Sequence, residues 1–299
     1  MIQKSLAMAF VAFSTLFISC NDNDDHDTSS NLTLAITGLN DLGADYVYEG
    51  WILVDGNPVT TGTFSVDENG TLSETDFPMD KSVLASATKF ILTIEPKVGD
   101  APEPSETKYL VGDFSGTSAN VSTGIIGDFS AVAGQFILAT PTDNSTNDAN
   151  NENGIWWLNP TTSPAPIPTL VLPTLPAGWK YEGWVVANGT PITTGTFTNV
   201  AATDDAAPYS GSDALAAPNG ADGFFPGEDF LNHAPSGVSF PLDVRGKTAV
   251  ISIEPYPDNS PLPFTLKPLV GEAGQETAPT LHTMNSNVTA SFPSGSVWR

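Results

Sequence analysis

Basic residues are scarce in this chain of 299 residues, which has 10 Lys and Arg against 34 Asp and Glu. The formal net charge at pH 7 is therefore −24. Proteins that bind DNA, RNA or an anionic lipid surface need clusters of basic side chains, because they must neutralise phosphate groups. The composition argues against nucleic acids as partners. It is typical of a secreted protein whose charge keeps it soluble.

Cysteine and histidine are also rare, with one Cys and three His in the whole chain. A single cysteine cannot form a disulfide framework. None of the histidines belongs to a His-Glu-x-x-His pattern, so a zinc site is not expected. The sequence also lacks a Gly-x-Ser-x-Gly elbow and a phosphate-binding glycine loop. We therefore predict that the protein is not an enzyme and has no cofactor, apart from the calcium site considered below.

Long apolar runs are confined to the N-terminus, and nothing after residue 20 approaches the roughly 18–20 apolar residues of a membrane-spanning helix. Lys4 is followed by an apolar segment, residues 6–18, as in a secretory signal peptide. The segment ends in Ser19-Cys20, which resembles the lipobox where signal peptidase II cleaves bacterial lipoproteins. We predict a signal peptide at residues 1–19 and lipid attachment at Cys20. The alternative is an ordinary signal peptide with an incidental cysteine.

The residues after the predicted cleavage site are strongly acidic. Segment 20–31 carries Asp22, Asp24, Asp25 and Asp27, and it is predicted to be a flexible tether between lipid and folded protein. An alternative is that it acts like the surface-export signal of some Gram-negative lipoproteins. The expected location is the cell envelope, with the lipid in the outer membrane and the protein facing either the periplasm or the exterior.

An internal repeat organises the rest of the chain. Residues 48–64 read YEGWILVDGNPVTTGTF and residues 181–197 read YEGWVVANGTPITTGTF. Further along, FILTIEP at 90–96 matches AVISIEP at 249–255, and LVG at 110–112 recurs at 269–271. Matches of this length indicate a duplication of one structural unit.

Each repeat has the pattern of an antiparallel β unit. Asp55-Gly56 and Asn188-Gly189 separate two strand-like runs, and such dipeptides favour the type I′ turn of a hairpin. The abundance of Gly, Pro and Thr fits many short strands joined by turns. We predict an all-β protein of two tandem antiparallel β-sandwich modules of the Ig-like kind.

The predicted modules are residues 32–160 and residues 169–299, joined by a Pro-rich linker at 161–168. The second module is longer between its hairpin and its Glu-Pro strand, which places an inserted loop at about 201–239. In the first module, the apolar runs 136–141 and 155–158 are predicted to form a closing hairpin.

The repeated strings resemble a known domain. Tyr-Glu-Gly-Trp at 48–51, Thr-Gly-Thr-Phe at 61–64 and the strand ending in Ile94-Glu95-Pro96 are similar to the extracytoplasmic C-terminal domain of anti-sigma-K factors. The similarity covers most of residues 32–112 and, more weakly, 167–271, and it implies a β-sandwich. In that family a membrane helix precedes the domain and a cytoplasmic segment binds the sigma factor. Here a signal peptide precedes the repeats, so we expect the fold without the anti-sigma activity.

Candidate ligand-binding residues are aromatic. Trp156 and Trp157 are adjacent in a predicted strand, where neighbouring side chains point to opposite faces, so one of them is expected to be exposed. Phe224 and Phe225, on the inserted loop, could form an aromatic binding tip or could anchor the loop on the second module.

Acidic residues provide the other candidates. Asp148, Asn150 and Glu152 alternate oxygen ligands as calcium loops do, although an Asn-rich surface loop is the simpler interpretation. Four recurring glutamates could form general acid/base pairs, but we expect them to make structural hydrogen bonds; these are Glu49, Glu95, Glu182 and Glu254. Trp51 and Trp184 are expected in the core rather than at a sugar-binding surface.

The function expected from the sequence is that of a non-enzymatic exported lipoprotein, which binds or interacts through its tandem modules. Its partners would be the membrane, through the N-terminal lipid, and an unidentified protein or glycan. One alternative is an accessory or sensory role in extracytoplasmic sigma/anti-sigma signalling. A second alternative is a carbohydrate-binding surface lipoprotein.

Overall fold

The computed structural model describes residues 28–143, 150–211, 225–258 and 260–299, and the regular secondary structure of this part of the chain consists mainly of antiparallel β-strands. None of the helices in these ranges is both long enough and apolar enough to cross a membrane. The predicted all-β fold class is confirmed. The strands are β1 (Ser29–Thr37), β2 (Tyr46–Val54), β3 (Asn57–Phe64), β4 (Asp76–Asp80), β5 (Ala87–Pro96), β6 (Lys108–Asp113), β7 (Ser118–Val121), β8 (Gly134–Phe136), β9 (Gly154–Trp156), β10 (Leu158–Asn159), β11 (Ile167–Pro168), β12 (Trp179–Ala187), β13 (Thr190–Phe197), β14 (Gly227–Asp229), β15 (Thr248–Pro255), β16 (Leu269–Glu272), β17 (His282–Ser286) and β18 (Ser294–Trp298). The helices are α1 (Lys81–Ser86) and α2 (Val288–Ser291), with 3-10 turns at Thr123–Ile125 and Asn151–Asn153.

The two sequence repeats form the same piece of sheet. The strand order is β3-β2-β5-β6 in the first repeat and β13-β12-β15-β16 in the second, where β17 and β8 extend the sheet. Asp55 and Asn188 have φ angles of 52° and 53°, and the glycine after each also has positive φ. These values are those that a type I′ turn requires, so the predicted hairpins are confirmed.

Repeated side-chain hydrogen bonds explain why the string Tyr-Glu-Gly-Trp occurs twice. The Trp51 indole donates to Thr93 Oγ1 at 2.9 Å, and that of Trp184 donates to Ser252 Oγ at 2.7 Å. Both indoles are buried, as expected. The hydroxyl of Tyr48 donates to the Asn40 carbonyl at 3.0 Å, as Tyr181 does to a backbone carbonyl in its own repeat. Each motif therefore ties its hairpin both to the next strand and to the segment before it.

The last strand of the chain belongs to the first repeat. Strand β18 lies between β1 and β7 in a four-stranded sheet of order β4-β1-β18-β7. Val297 is fully buried in the main apolar cluster. Residues 294–298 were predicted to belong to the second module, so this part of the predicted division is corrected. No local pattern could reveal it, because the pairing joins positions more than 250 residues apart.

The predicted closing hairpin lies in the second repeat instead of the first. Its two runs do pair, since Ile137 N donates to the Trp156 carbonyl at 2.9 Å. However, β8 pairs with β17, and β9 pairs with β14. The Pro-rich segment 161–168 connects β10 to β11, which pair with each other. It therefore closes a small hairpin within the second repeat, which extends N-terminally beyond the predicted boundary.

A single apolar cluster runs through both repeats. At their junction, the Tyr109 ring lies 5.7 Å from that of Trp179 and 5.5 Å from that of Phe264. The Trp179 indole also donates to the Lys108 carbonyl at 3.2 Å. These contacts join β6 of the first repeat to β12 and to the segment after β15 in the second. Phe264 also lines the cavity described next.

Candidate functional site

A cavity of about 470 Å³ lies where the two repeats meet. One wall is the segment before β2 in the first repeat, and the other is the segment that follows β15 in the second. The lining residues are Asn40, Asp41, Leu42, Gly43, Ala44, Asp45, Tyr46, Ile94, Thr107, Glu254, Pro255, Tyr256, Pro257, Asp258, Ser260, Leu262, Pro263 and Phe264. We call this cavity the cleft.

The first wall is held by local hydrogen bonds. Gly43 N donates to Asp41 Oδ1 at 2.8 Å in a side-chain-closed turn. The Asn40 carbonyl accepts the Tyr48 hydroxyl, and the Asp45 carbonyl accepts Lys97 N at 2.8 Å. The loop is thus fixed at both ends to β2 and to the end of β5.

The cleft combines exposed apolar groups with negative charge. Tyr256 and Leu262 are 52% and 57% exposed, although each is large and hydrophobic. The lining includes four acidic residues (Asp41, Asp45, Glu254 and Asp258), and no Lys, Arg or His is among the described residues that line it. Lys180 lies beside the lining, with its Nζ 4.1 Å from the Tyr256 ring centroid. Such a lining favours neutral or cationic groups and disfavours anions.

Two buried glutamates lie behind the second wall. Glu254 is 1% exposed and accepts Phe264 N at 3.0 Å. Burial, with the nearby carboxylates of Glu182 and Asp258, raises the pKa of Glu254 to about 8. Glu182 accepts the Thr193 hydroxyl, and burial raises its pKa to about 7 despite that hydrogen bond.

The first repeat has an equivalent arrangement. Glu95 Oε1 accepts Ser105 N at 2.8 Å, ten residues further on, as Glu254 accepts Phe264 N. Glu49 accepts the Thr60 hydroxyl. Burial raises the pKa of both Glu49 and Glu95, and Asp100 adds to the shift of each. The repeated glutamates do make structural hydrogen bonds, with a backbone donor for one of each pair and a threonine for the other.

A second group of buried acids ties the inserted region to the sheet. Asp229 accepts the Trp156 indole at 2.8 Å and Thr142 N at 2.7 Å. Burial raises the pKa of Asp229 to about 6, that of Glu228 to about 7 and that of Asp204 to about 8. These hydrogen bonds cross-link distant segments, and the acids lie outside the cleft lining.

The aromatic residues proposed from the sequence as ligand contacts are buried, which corrects that prediction. Trp156 is 3% exposed and Trp157 is fully buried. Strand β14 covers Trp156, and Trp157 fills the space left by the missing side chain of Gly183. Phe225 is 3% exposed and shares a small cluster with Trp156, so it anchors its loop. Phe224 lies outside the described residues.

Only part of the predicted calcium loop lies in the described ranges. Asn150 donates to Asp143, and Glu152 lies 3.8 Å from Arg245 in an ion pair. Both side chains therefore have protein partners. Asp148 and Cys20 lie outside the described residues, so calcium binding at this loop and lipid attachment stay predictions.

The cleft was not predicted from the sequence, because most of its lining residues lie in turns and loops between strands. Tyr256 to Leu262 belong to a Pro-rich stretch that follows the Glu-Pro strand, and such composition indicates a loop without indicating what the loop faces. The available signal was position: this stretch directly follows a repeated, buried glutamate.

Comparison with known proteins finds no matching family model, no significant match among curated proteins and none among solved structures. The resemblance to the anti-sigma-K domain therefore stays a prediction.

Proposed function

We propose that the protein is an exported lipoprotein without enzymatic activity, anchored to the outer membrane through Cys20, that binds a ligand in the cleft. The observation that supports binding is the cleft itself, where Tyr256 and Leu262 remain more than half exposed. Large apolar side chains in a concave site are typical of ligand-binding surfaces.

The lining defines the chemistry of the ligand. An aromatic face beside carboxylates suits a glycan, whose C–H face packs on the ring while its hydroxyls donate to carboxylate oxygens. It also suits a basic segment of a protein. Polyanions are disfavoured because acidic side chains line the cleft and no basic side chain is among the described residues that line it.

Carbohydrate binding is the second candidate function, and the observation that favours it is the exposed Tyr256 ring. The sensory role in sigma/anti-sigma signalling rests on sequence resemblance, and it would place a protein segment in the same cleft. A glycan and a basic peptide are therefore the two ligand classes to compare.

Binding can be tested with residues 21–299 on a glycan array and on an array of peptides graded in charge. We expect binding to glycans or to basic peptides, and none to acidic peptides. The double variant Tyr256→Ala, Leu262→Ala should weaken binding by about tenfold or more, because truncating an interface anchor typically costs more than about 1 kcal/mol.

Ile167→Ala is the matched control, since Ile167 is 49% exposed and lies outside the cleft lining. It should bind as the wild type does. Equal binding by the cleft variant and the wild type would contradict the assignment, as would the absence of any bound glycan or basic peptide.

A further inference from the structure

Three carboxylates meet at the base of the cleft's second wall. Glu182 lies on β12 and Glu254 on the adjacent strand β15, while Asp258 follows β15 after a short turn. One oxygen of each lies within 4.8 Å of the others. Among the described residues, these three form the group with the ligand spacing of a metal site.

One oxygen of this group is buried and unpaired. Glu182 is 5% exposed, and its Oε1 accepts the Thr193 hydroxyl. Its Oε2 is buried and has no hydrogen-bond partner among the described residues. A buried carboxylate oxygen without a donor is costly, and a ligand that supplies positive charge would satisfy it.

One basic side chain interacts with this group. Lys267 interacts with Glu254, although burial lowers the lysine's own pKa. A bound divalent cation would offset the negative charge of the three carboxylates.

We propose that Glu182, Glu254 and Asp258 bind a calcium ion. Calcium takes oxygen ligands at about 2.3–2.6 Å, so ligand atoms on opposite sides of one ion are roughly 4.6–5.2 Å apart. The three carboxylate oxygens fit within that shell. Magnesium, with ligands at about 2.0–2.1 Å, demands nearly ideal octahedral geometry and usually keeps several waters, so a cluster of three protein carboxylates suits calcium better. Because Glu254 and Asp258 line the cleft, water can complete the coordination.

This site differs from the loop Asp148–Glu152 and does not depend on what the cleft binds. In the first repeat, Glu49 and Glu95 correspond to Glu182 and Glu254, and Asp100 is an acidic residue near both. These three do not form a group with the ligand spacing of a metal site. The duplication therefore provides an internal control. With three protein carboxylates, the expected dissociation constant is about 10⁻⁴–10⁻³ M, as for extracellular modules.

Calcium binding can be measured by isothermal titration of CaCl₂ into residues 21–299 at pH 8. We expect one site in this affinity range, and a weaker one at pH 6, where protons compete for the glutamates. Asp258→Asn and Glu182→Gln should each weaken binding by about tenfold or more, while Asp100→Asn should bind like the wild type. Thermal unfolding in EDTA shows whether each variant is folded. Calcium should raise the melting temperatures of the wild type and of Asp100→Asn, and it should raise those of Asp258→Asn and Glu182→Gln much less.

The proposal is overturned if the wild type shows neither heat of binding nor a calcium-dependent melting temperature. It is overturned equally if folded Asp258→Asn binds calcium with unchanged affinity. Magnesium binding as tight as that of calcium would overturn the assignment of the ion. None of these outcomes affects the array experiment, which can be run in EDTA.

Discussion

A chain that ends at residue 293 is expected to lose the cooperative unfolding of its first repeat, although that repeat's own sequence is intact. Strand β18 pairs with both β1 and β7, so its removal leaves backbone groups of two strands unpaired. Loss of the fully buried Val297 side chain also leaves a void in the core. Arg299 also donates to the Leu84 and Gly116 carbonyls at 2.6 and 3.0 Å. The loss should be comparable to the whole stability of a domain, about 5–15 kcal/mol.

Urea denaturation followed by far-UV circular dichroism measures this effect. A synthetic peptide of residues 293–299 added to the truncated protein should restore structure, since an open sheet position accepts a strand. Trp298→Ala is a mild control because that side chain is 42% exposed, whereas Val297→Asp should be destabilising by more than about 4 kcal/mol. A truncated chain with the same urea midpoint as the wild type would contradict the pairing of β18 with β1 and β7.

Stability in EDTA is expected to fall as the pH rises from 5 to 8. Burial raises the pKa of Glu182 to about 7 and that of Glu254 to about 8. The folded state therefore binds more protons than the unfolded state in this range, and its stability decreases with pH. The stabilisation is complete near pH 4.5 and is lost through pH 7–8. One pKa unit is worth about 1.4 kcal/mol, so the loss is on the order of 5 kcal/mol.

The free energy of unfolding can be measured by urea denaturation at pH 5, 6, 7 and 8. The double variant Glu182→Gln, Glu254→Gln should make the dependence less steep by roughly 40%, because amides do not titrate and these two groups carry that share of the raised carboxyl pKa values. Asp204, Glu228 and Asp229, whose pKa values are also raised, will leave a smaller slope of the same sign. Glu68→Gln, at an exposed turn position, should leave the slope unchanged. A wild-type stability that rises across this range would contradict the burial of these acids in neutral form.

Local features of the fold were predictable from the sequence, because local backbone chemistry decides them. Asp55-Gly56 and Asn188-Gly189 fix their hairpins through positive φ angles. The repeated Trp51 and Trp184 indicated buried strands, and both are buried. The turn dipeptides and the strand-like runs on either side of them therefore sufficed to predict each hairpin.

Long-range pairing was not predictable in the same way. Strand β18, at the end of the chain, completes the sheet formed by β4, β1 and β7 of the first repeat. No residue of β18 indicates with which strand it pairs. Trp156 and Trp157 show the same limit: adjacent residues of a strand face opposite ways, but both faces can be covered. Here β14 covers one face and the Gly183 region the other. The cleft depends on the same long-range contacts.

Metabolic labelling with radioactive palmitate, followed by protease treatment of intact cells, addresses the proposed export and anchoring most directly. The wild type should incorporate label, and Cys20→Ala should not. Release of a protein fragment by protease would place the cleft outside the cell, and protection would place it in the periplasm. A wild-type protein that incorporates no label, or a Cys20→Ala variant labelled as strongly as the wild type, would contradict the lipoprotein proposal.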